Sequence, residues 1–258
     1  MEVIRFGSSA RKRPPLLFVH GSYCGAWIWT RFFLPAFAEA GWSGAAISLR
    51  GHGKSEGLEK INSFGIADYL EDIEEGTKLF DQTPILVGHS MGGYLAQKYA
   101  LERQVKGLVL LSSPSLLGLQ GSVQHTATHR PMLAMQLGLL MSLGPAYADL
   151  DVISDALFCD HKGAESMKAH LEPPQQESSR FFVEANWPDF RTPKEYVPTL
   201  ALGGDNDAFV PEFEFRYEAH FWKGKSKILH GVPHGVMLDS CWTEVAGEAM
   251  GWMGHLFN

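Results

Sequence analysis

The chain has 258 residues, 45% of them hydrophobic and 20% charged, with 27 glycines and 14 prolines. That length and apolar content suit one large packed domain or two small ones, and exclude disordered, collagen-like and low-complexity chains. A formal charge of -7, from 22 basic and 29 acidic residues, disfavours nucleic acid as a partner, because the one dense basic cluster is Arg11-Lys12-Arg13.

In chain order, a short strand is expected at residues 3–6. The N-terminal run MEVIRFGSSARKRPP has no apolar core of the kind a signal peptide carries, so a cytoplasmic protein is expected. Continuous apolar runs follow, each ending at a turn: Leu16-Leu17-Phe18-Val19 before His20-Gly21, Ala45-Ala46-Ile47-Ser48-Leu49 before Arg50-Gly51-His52-Gly53, Ile85-Leu86-Val87 before Gly88, and Leu108-Val109-Leu110-Leu111 before Ser112-Ser113-Pro114. Later come Thr199-Leu200-Ala201-Leu202 before Gly203-Gly204, and Lys227-Ile228-Leu229 before His230-Gly231. Apolar runs without alternation are the mark of strands buried on both faces, which belong to parallel sheets.

Amphipathic helices are expected between them at 68–80, 91–101 and 244–256. Strand and helix in alternation imply right-handed crossovers and a layered α/β fold. The pattern breaks at 117–198, where no strand is expected, Met and Leu are frequent, and Pro145, Pro173-Pro174 and Pro188 interrupt the chain. This stretch is expected to be a helical insertion. Its most apolar part, residues 132–143, falls far short of the ~20 residues that span a bilayer. Cys24, Cys159 and Cys241 are too few and too scattered for a disulfide framework, and no CxxC or Cys/His cluster has zinc spacing.

Gly88-His89-Ser90-Met91-Gly92 fits G-x-S-x-G between a buried strand and a helix. The glycines permit the sharp turn that holds a serine hydroxyl at the carboxyl edge of a sheet. The N–H of Met91 would open the helix and face a developing oxyanion. A nucleophilic serine needs a base, and the base an orienting acid. Among 11 histidines, His234 lies in the loop after the last expected strand, which returns to the same edge. His20 and His89 flank glycines at strand ends and are expected to shape the site, and His52 to bond its own loop. His125 and His129 are spaced four apart, as a metal pair on a helix would be, yet no acidic motif accompanies them, so no metal or cofactor is expected. For the acid, Asp205 and Asp207 both qualify by chemistry. The order Ser90, Asp207, His234 is that of one fold and differs from the two protease families with the same triad.

With these residues in view, the chain resembles the α/β-hydrolase superfamily over residues 16–240. The resemblance implies a mostly parallel sheet flanked by helices, with a core of residues 1–116 and 199–258 and a helical cap of 117–198 inserted after the strand near 107–112. His20-Gly21-Ser22 resembles the family's oxyanion loop, which implies the Ser22 N–H as a second donor beside Met91. The stretch from His20 to Trp27 is similar to the esterase and hydroxynitrile lyase branch. Asp207 is followed by Ala208-Phe209-Val210-Pro211, and an x-x-Val-Pro after the acid favours it over Asp205. The family usually places aspartate before the Arg-Gly-His-Gly turn, where this chain has Ser48-Leu49.

The expected activity is hydrolysis of an ester, thioester or related acyl bond of a small apolar substrate through an acyl-enzyme. Met132, Met135, Phe181 and Trp187 are cap candidates for a pocket wall, and packing is the competing role for each. Serine at position 90 argues against haloalkane dehalogenases and epoxide hydrolases, which place aspartate at the elbow. Hydroxynitrile lyases, cofactor-free dioxygenases and a non-catalytic receptor on the same scaffold stay open, and no motif bears on oligomeric state. Cys24 is expected to be a packed small residue in preference to a reactive thiol.

Overall fold

The computed structural model describes residues 1–8, 13–159 and 175–257. Arg11 and Lys12 of the basic cluster and the pair Pro173-Pro174 lie outside the described residues. Seven strands form one sheet: β1 (Glu2–Phe6), β2 (Leu16–Val19), β3 (Gly44–Ser48), β4 (Ile85–His89), β5 (Gly107–Leu111), β6 (Thr199–Gly204) and β7 (Lys225–Leu229). Their order across the sheet is β1-β3-β2-β4-β5-β6-β7. β1 runs antiparallel to β3, with Glu2 opposite Ser48, and every other pairing is parallel. Each parallel crossover brings the chain back to the same carboxyl edge, so the loops after β2, β4, β6 and β7 gather there.

The apolar runs are continuous because both faces of the sheet are covered. Along β2, Leu16 and Phe18 enter one core cluster while Leu17 and Val19 enter the other, as the two-residue period of a strand requires. The first cluster is closed by α1 (Phe33–Glu39) and α9 (Trp242–Phe257) through Phe33, Phe37, Val245 and Met253. The second is closed by α2 (Ile66–Thr77) and α3 (Met91–Ala100) through Tyr69, Ile73, Tyr94 and Leu95. Phe18 is fully buried, with ring contacts to Phe6, Trp29 and Phe37. Truncating such a ring typically costs about 3–5 kcal/mol.

Several boundaries differ from the sequence reading for local reasons. β6 continues through Gly203 and Gly204, which pair with Ile228 and Leu229. A Cβ on Gly204 would lie 1.8 Å from the Val232 carbonyl oxygen, so that glycine is required by close backbone passage within the strand and does not end it. α2 begins at Ile66 because the Asp68 carboxylate accepts the Gly65 N–H at 2.8 Å, fixing the first turn. β7 begins at Lys225, two residues early. It is an edge strand with exposed lysines, a composition that discourages further pairing.

Between β5 and β6 the chain leaves the sheet for α4 (Gln120–His129), α5 (Pro131–Leu143), α6 (Leu150–Leu157) and α7 (Ser179–Ala185). It then re-enters through β6, and α8 (Glu212–Phe221) follows. Among the described residues no helix is long and apolar enough to cross a membrane.

Candidate active site

Ser90 stands between β4 and α3 with φ 51° and ψ -119°, a conformation a non-glycine residue adopts only when its surroundings hold it. The hold is backbone: the Ser90 N–H donates to Leu111 O at 3.0 Å, and Ser90 O accepts from Gly93 and Tyr94. Room for so tight a turn comes from glycine. A Cβ on Gly92 would sit 2.3 Å from the Val19 carbonyl oxygen. The N–H of Met91, at the first position of α3, has no partner within the helix and lies at its positive end.

His234 reaches this serine from the loop after β7. Its Nδ1–H donates to the Asp207 carboxylate, 2.8 Å to Oδ2 and 3.0 Å to Oδ1, and its Nε2 faces Ser90 Oγ at 3.1 Å. A proton held on Nδ1 leaves the Nε2 lone pair toward the hydroxyl. Asp207 is buried and oriented by its own turn, since Oδ1 also accepts the Phe209 and Val210 N–H groups at 2.8 and 2.9 Å. Asp205 points elsewhere. Its carboxylate meets His230 Nδ1 at 2.7 Å and the Gly231 N–H at 2.6 Å on the exposed side of the loop.

The loop after β2 lies against the serine, for a Cβ on Gly21 would come 3.2 Å from Ser90 Cβ. His20 fixes that loop by donating from Nδ1 to Gly21 O at 2.7 Å and accepting the Leu49 N–H at Nε2, 3.0 Å. Burial, aided by neighbouring His52, pushes its pKa down to about 3, so the ring stays neutral and can do both. In a trans peptide the carbonyl and the next N–H point oppositely. Anchoring the Gly21 carbonyl on His20 therefore turns the Ser22 N–H away from His20.

The other candidates fall into supporting positions. His89 donates from Nε2 to the His234 carbonyl at 2.9 Å, and burial, followed by the proximity of His234, holds its pKa well below the ordinary value. His125 Nε2 donates to Asp207 O at 3.3 Å and Thr126 to Ala208 O at 3.1 Å, so α4 steadies the loop carrying the acid. His129 bonds the His125 carbonyl, and among the described residues no group of three or more His, Cys, Asp or Glu is placed to hold a metal. Burial, followed by Glu177, pushes the Cys24 thiol up to about 12. The expected carboxylate before the Arg50 turn comes from another strand: Ser48 Oγ donates to Glu2 Oε2 at 2.6 Å and accepts the Ala26 N–H.

Of the four inserted candidates, Phe181 is buried against Tyr69, Tyr94 and Phe182, a packing position. Met132, Met135 and Trp187 are 57%, 51% and 67% exposed. Sequence reasoning missed Phe209, whose ring lies 4.6 Å from that of His234. It also missed the contact of residues 157–158 with the histidine loop, where Gly235 N–H donates to Leu157 O. Phe209 had a signal, two residues beyond Asp207; the second contact had none.

The model of the alpha/beta hydrolase family matches residues 16–249. The chain is 25% identical over 267 residues to epoxide hydrolase 3 of Xenopus tropicalis, covering 92% of this chain and 71% of that protein. It is 27% identical over 232 residues to a 2-hydroxy-6-oxononadienedioate/2-hydroxy-6-oxononatrienedioate hydrolase of Burkholderia vietnamiensis, covering 81% and 76%. Among solved structures, an esterase from Exiguobacterium antarcticum superposes with a TM-score of 0.73 at 18% identity, over 98% of this chain and 94% of that one. With the sheet order, the elbow after β4 and a family match across most of its length, the chain belongs to the alpha/beta hydrolase family and is an enzyme of the hydrolase type.

Proposed function

We propose that the protein is a serine hydrolase that cleaves a carboxylic ester, thioester or related acyl bond of a small apolar substrate. The observation that carries this reading is the unbroken hydrogen-bonded line from Ser90 Oγ through His234 to Asp207. Ser90 Oγ attacks the acyl carbon while His234 Nε2 takes its proton, and Asp207 stabilises the imidazolium that forms. The tetrahedral oxyanion is received by the Met91 and Ser22 N–H groups, an interaction stronger in the transition state than in the bound substrate. Collapse expels the alcohol or thiol, protonated by His234. Water activated by the same imidazole then releases the acid and restores Ser90. The helices between β5 and β6 act as a cap over this edge.

The relative named as an epoxide hydrolase does not carry its chemistry to this chain, because Ser90 occupies the elbow where epoxide hydrolases of the superfamily have aspartate. The test is p-nitrophenyl butyrate turnover and fluorophosphonate labelling of wild type and Ser90→Ala. Wild type is expected to do both. The variant should lose label and at least ~10³-fold in kcat while keeping its Tm, since the lost hydroxyl opens no core cavity. Near-wild-type hydrolysis by Ser90→Ala would remove Ser90 from the mechanism. Cyanohydrin cleavage or oxygen uptake without esterase activity would favour the lyase or dioxygenase reading.

A further inference from the structure

Residues 175–178, returning from the inserted helices to α7, lie across two loops at the sheet edge. The Gln175 N–H donates to Tyr23 O at 3.4 Å. Its side-chain amide brackets Gly53, accepting the Gly53 N–H at 2.6 Å and donating to Gly53 O at 3.1 Å. Glu177 reaches deeper. Its side chain is fully buried 2.9 Å from His52 Nε2, and it accepts from Tyr69 Oη and from the N–H groups of Ser178 and Tyr23.

His52 faces an acceptor from each ring nitrogen, Glu177 on one side and Arg50 O on the other, so the imidazolium is the species that satisfies both. Burial alone would discharge the pair, but their mutual attraction and hydrogen bonds outweigh it, raising His52 and lowering Glu177. A buried ion pair is weak evidence for stability, and its best-attested use is to fix one arrangement.

What it fixes here is the loop beside Ser90. Tyr23 has φ 62°, a left-handed conformation that a tyrosine rarely adopts. Its ring lies 6.2 Å from that of Phe182, but its buried hydroxyl has no partner among the described residues, so the polar hold on the residue is through its backbone, with the N–H on Glu177 and the carbonyl on Gln175. The two peptides flanking Ser22 are thus each pinned, the one before it by His20 through Gly21 O and the one after it by Glu177 through the Tyr23 N–H.

We propose that Glu177 is a positioning residue for the oxyanion hole: by holding the Tyr23 N–H it locks the peptide after Ser22, and so the direction in which Ser22 presents its own N–H beside Ser90. This rests on the reading of Ser90 as an acyl-transfer nucleophile. It makes the inserted segment part of the machinery that sets turnover, apart from any wall it forms for substrate.

The test uses the full chain with p-nitrophenyl butyrate and a fluorophosphonate probe. Glu177→Ala should lower kcat about 10- to 100-fold, less than the ~10²–10³ for removing an oxyanion donor outright, with KM within about threefold. Adding Tyr23→Gly should recover a large part of the loss, because glycine adopts positive φ without the carboxylate's help. A purely structural role for Glu177 predicts no such rescue. Replacing Tyr23 with its α-hydroxy acid exchanges the N–H for an ester oxygen and keeps every side chain. It should lower kcat similarly, and it decides the matter if Glu177→Ala does not fold. Wild-type kcat in the ester-substituted protein or in folded Glu177→Ala, a loss confined to KM, or absence of rescue would overturn the proposal. Failure of wild type to label at Ser90 would remove the underlying reading and the proposal together. Normal wild-type labelling with an unaffected Glu177→Ala removes the proposal alone.

Discussion

Asp205 and Asp207 share one loop, yet their carboxylates point to different partners. Asp207 is buried on His234 Nδ1, while Asp205 ties the His230–Gly231 turn at the surface. His230 and the Gly231 N–H hold the Asp205 carboxyl below its ordinary range, but an exposed pair of that kind contributes little to stability. Asparagine at 207 would keep the shape and lose the charge that holds the imidazole tautomer. Asp207→Asn is therefore expected to lower kcat on p-nitrophenyl butyrate by about 10³–10⁴-fold, and Asp205→Asn by less than about tenfold. Equal losses, or a reversal, would place the orienting acid at Asp205. At Cys24, a thiol pushed up to about 12 is protonated at neutral pH, so slow alkylation by iodoacetamide is the expected outcome there.

Each loop of the site is also braced from an element outside it. The acid loop leans on α4 through His125 and Thr126, the histidine loop on residues 157–158 and on His89 from β4, and the oxyanion loop on the Leu49 N–H and on Glu177. α8 shows a different arrangement. Glu214 and Glu218 turn inward on Ser115 and Gln97, with one oxygen of each left without a hydrogen-bond partner among the described residues. Burial raises both carboxyls, and Glu214 pushes Glu218 further, well above its ordinary value. A raised acid binds its proton more tightly folded than unfolded, so its contribution to stability declines as pH climbs from the unfolded pKa toward the folded one. Glu218→Gln removes that term while keeping the bond to Gln97. The Tm of Glu218→Gln minus that of wild type should widen as pH increases from about 5 to about 9. A difference that stays flat with pH would mean that Glu218 is ionised in the fold.

Across the whole molecule, one sheet edge gathers the loops after β2, β4, β6 and β7, and α4 and residues 175–178 of the inserted segment bond loops at that edge. Residues 131–148 carry no charged side chain, and Phe209 stands against His234; under the proposed function, with these helices as the cap, an apolar acyl or aromatic group is the expected substrate. Each methylene accommodated adds up to ~0.8 kcal/mol until the space is filled. In a series of p-nitrophenyl esters, kcat/KM is expected to rise with acyl length and then fall. A flat profile, or a preference for an anionic acyl group such as a hemisuccinate, would contradict an apolar site.

The sequence by itself determined the sheet, the alternation of strand and helix, and the position of Ser90, Asp207 and His234 in loops after strands. Those features depend on local pattern: uninterrupted apolar runs mark strands covered on both faces, and glycines mark turns too tight for a Cβ. By chemistry alone Asp205 and Asp207 stayed equivalent and only the resemblance favoured Asp207; the tertiary structure brings the Asp207 carboxylate to His234, because two residues on one loop differ in direction and not in chemistry. It alone carried Glu2 to Ser48 and Glu177 to His52, 125 residues apart. Pairings of that separation leave no periodic trace, since a single buried carboxylate is specified by the donors that surround it once the chain has folded.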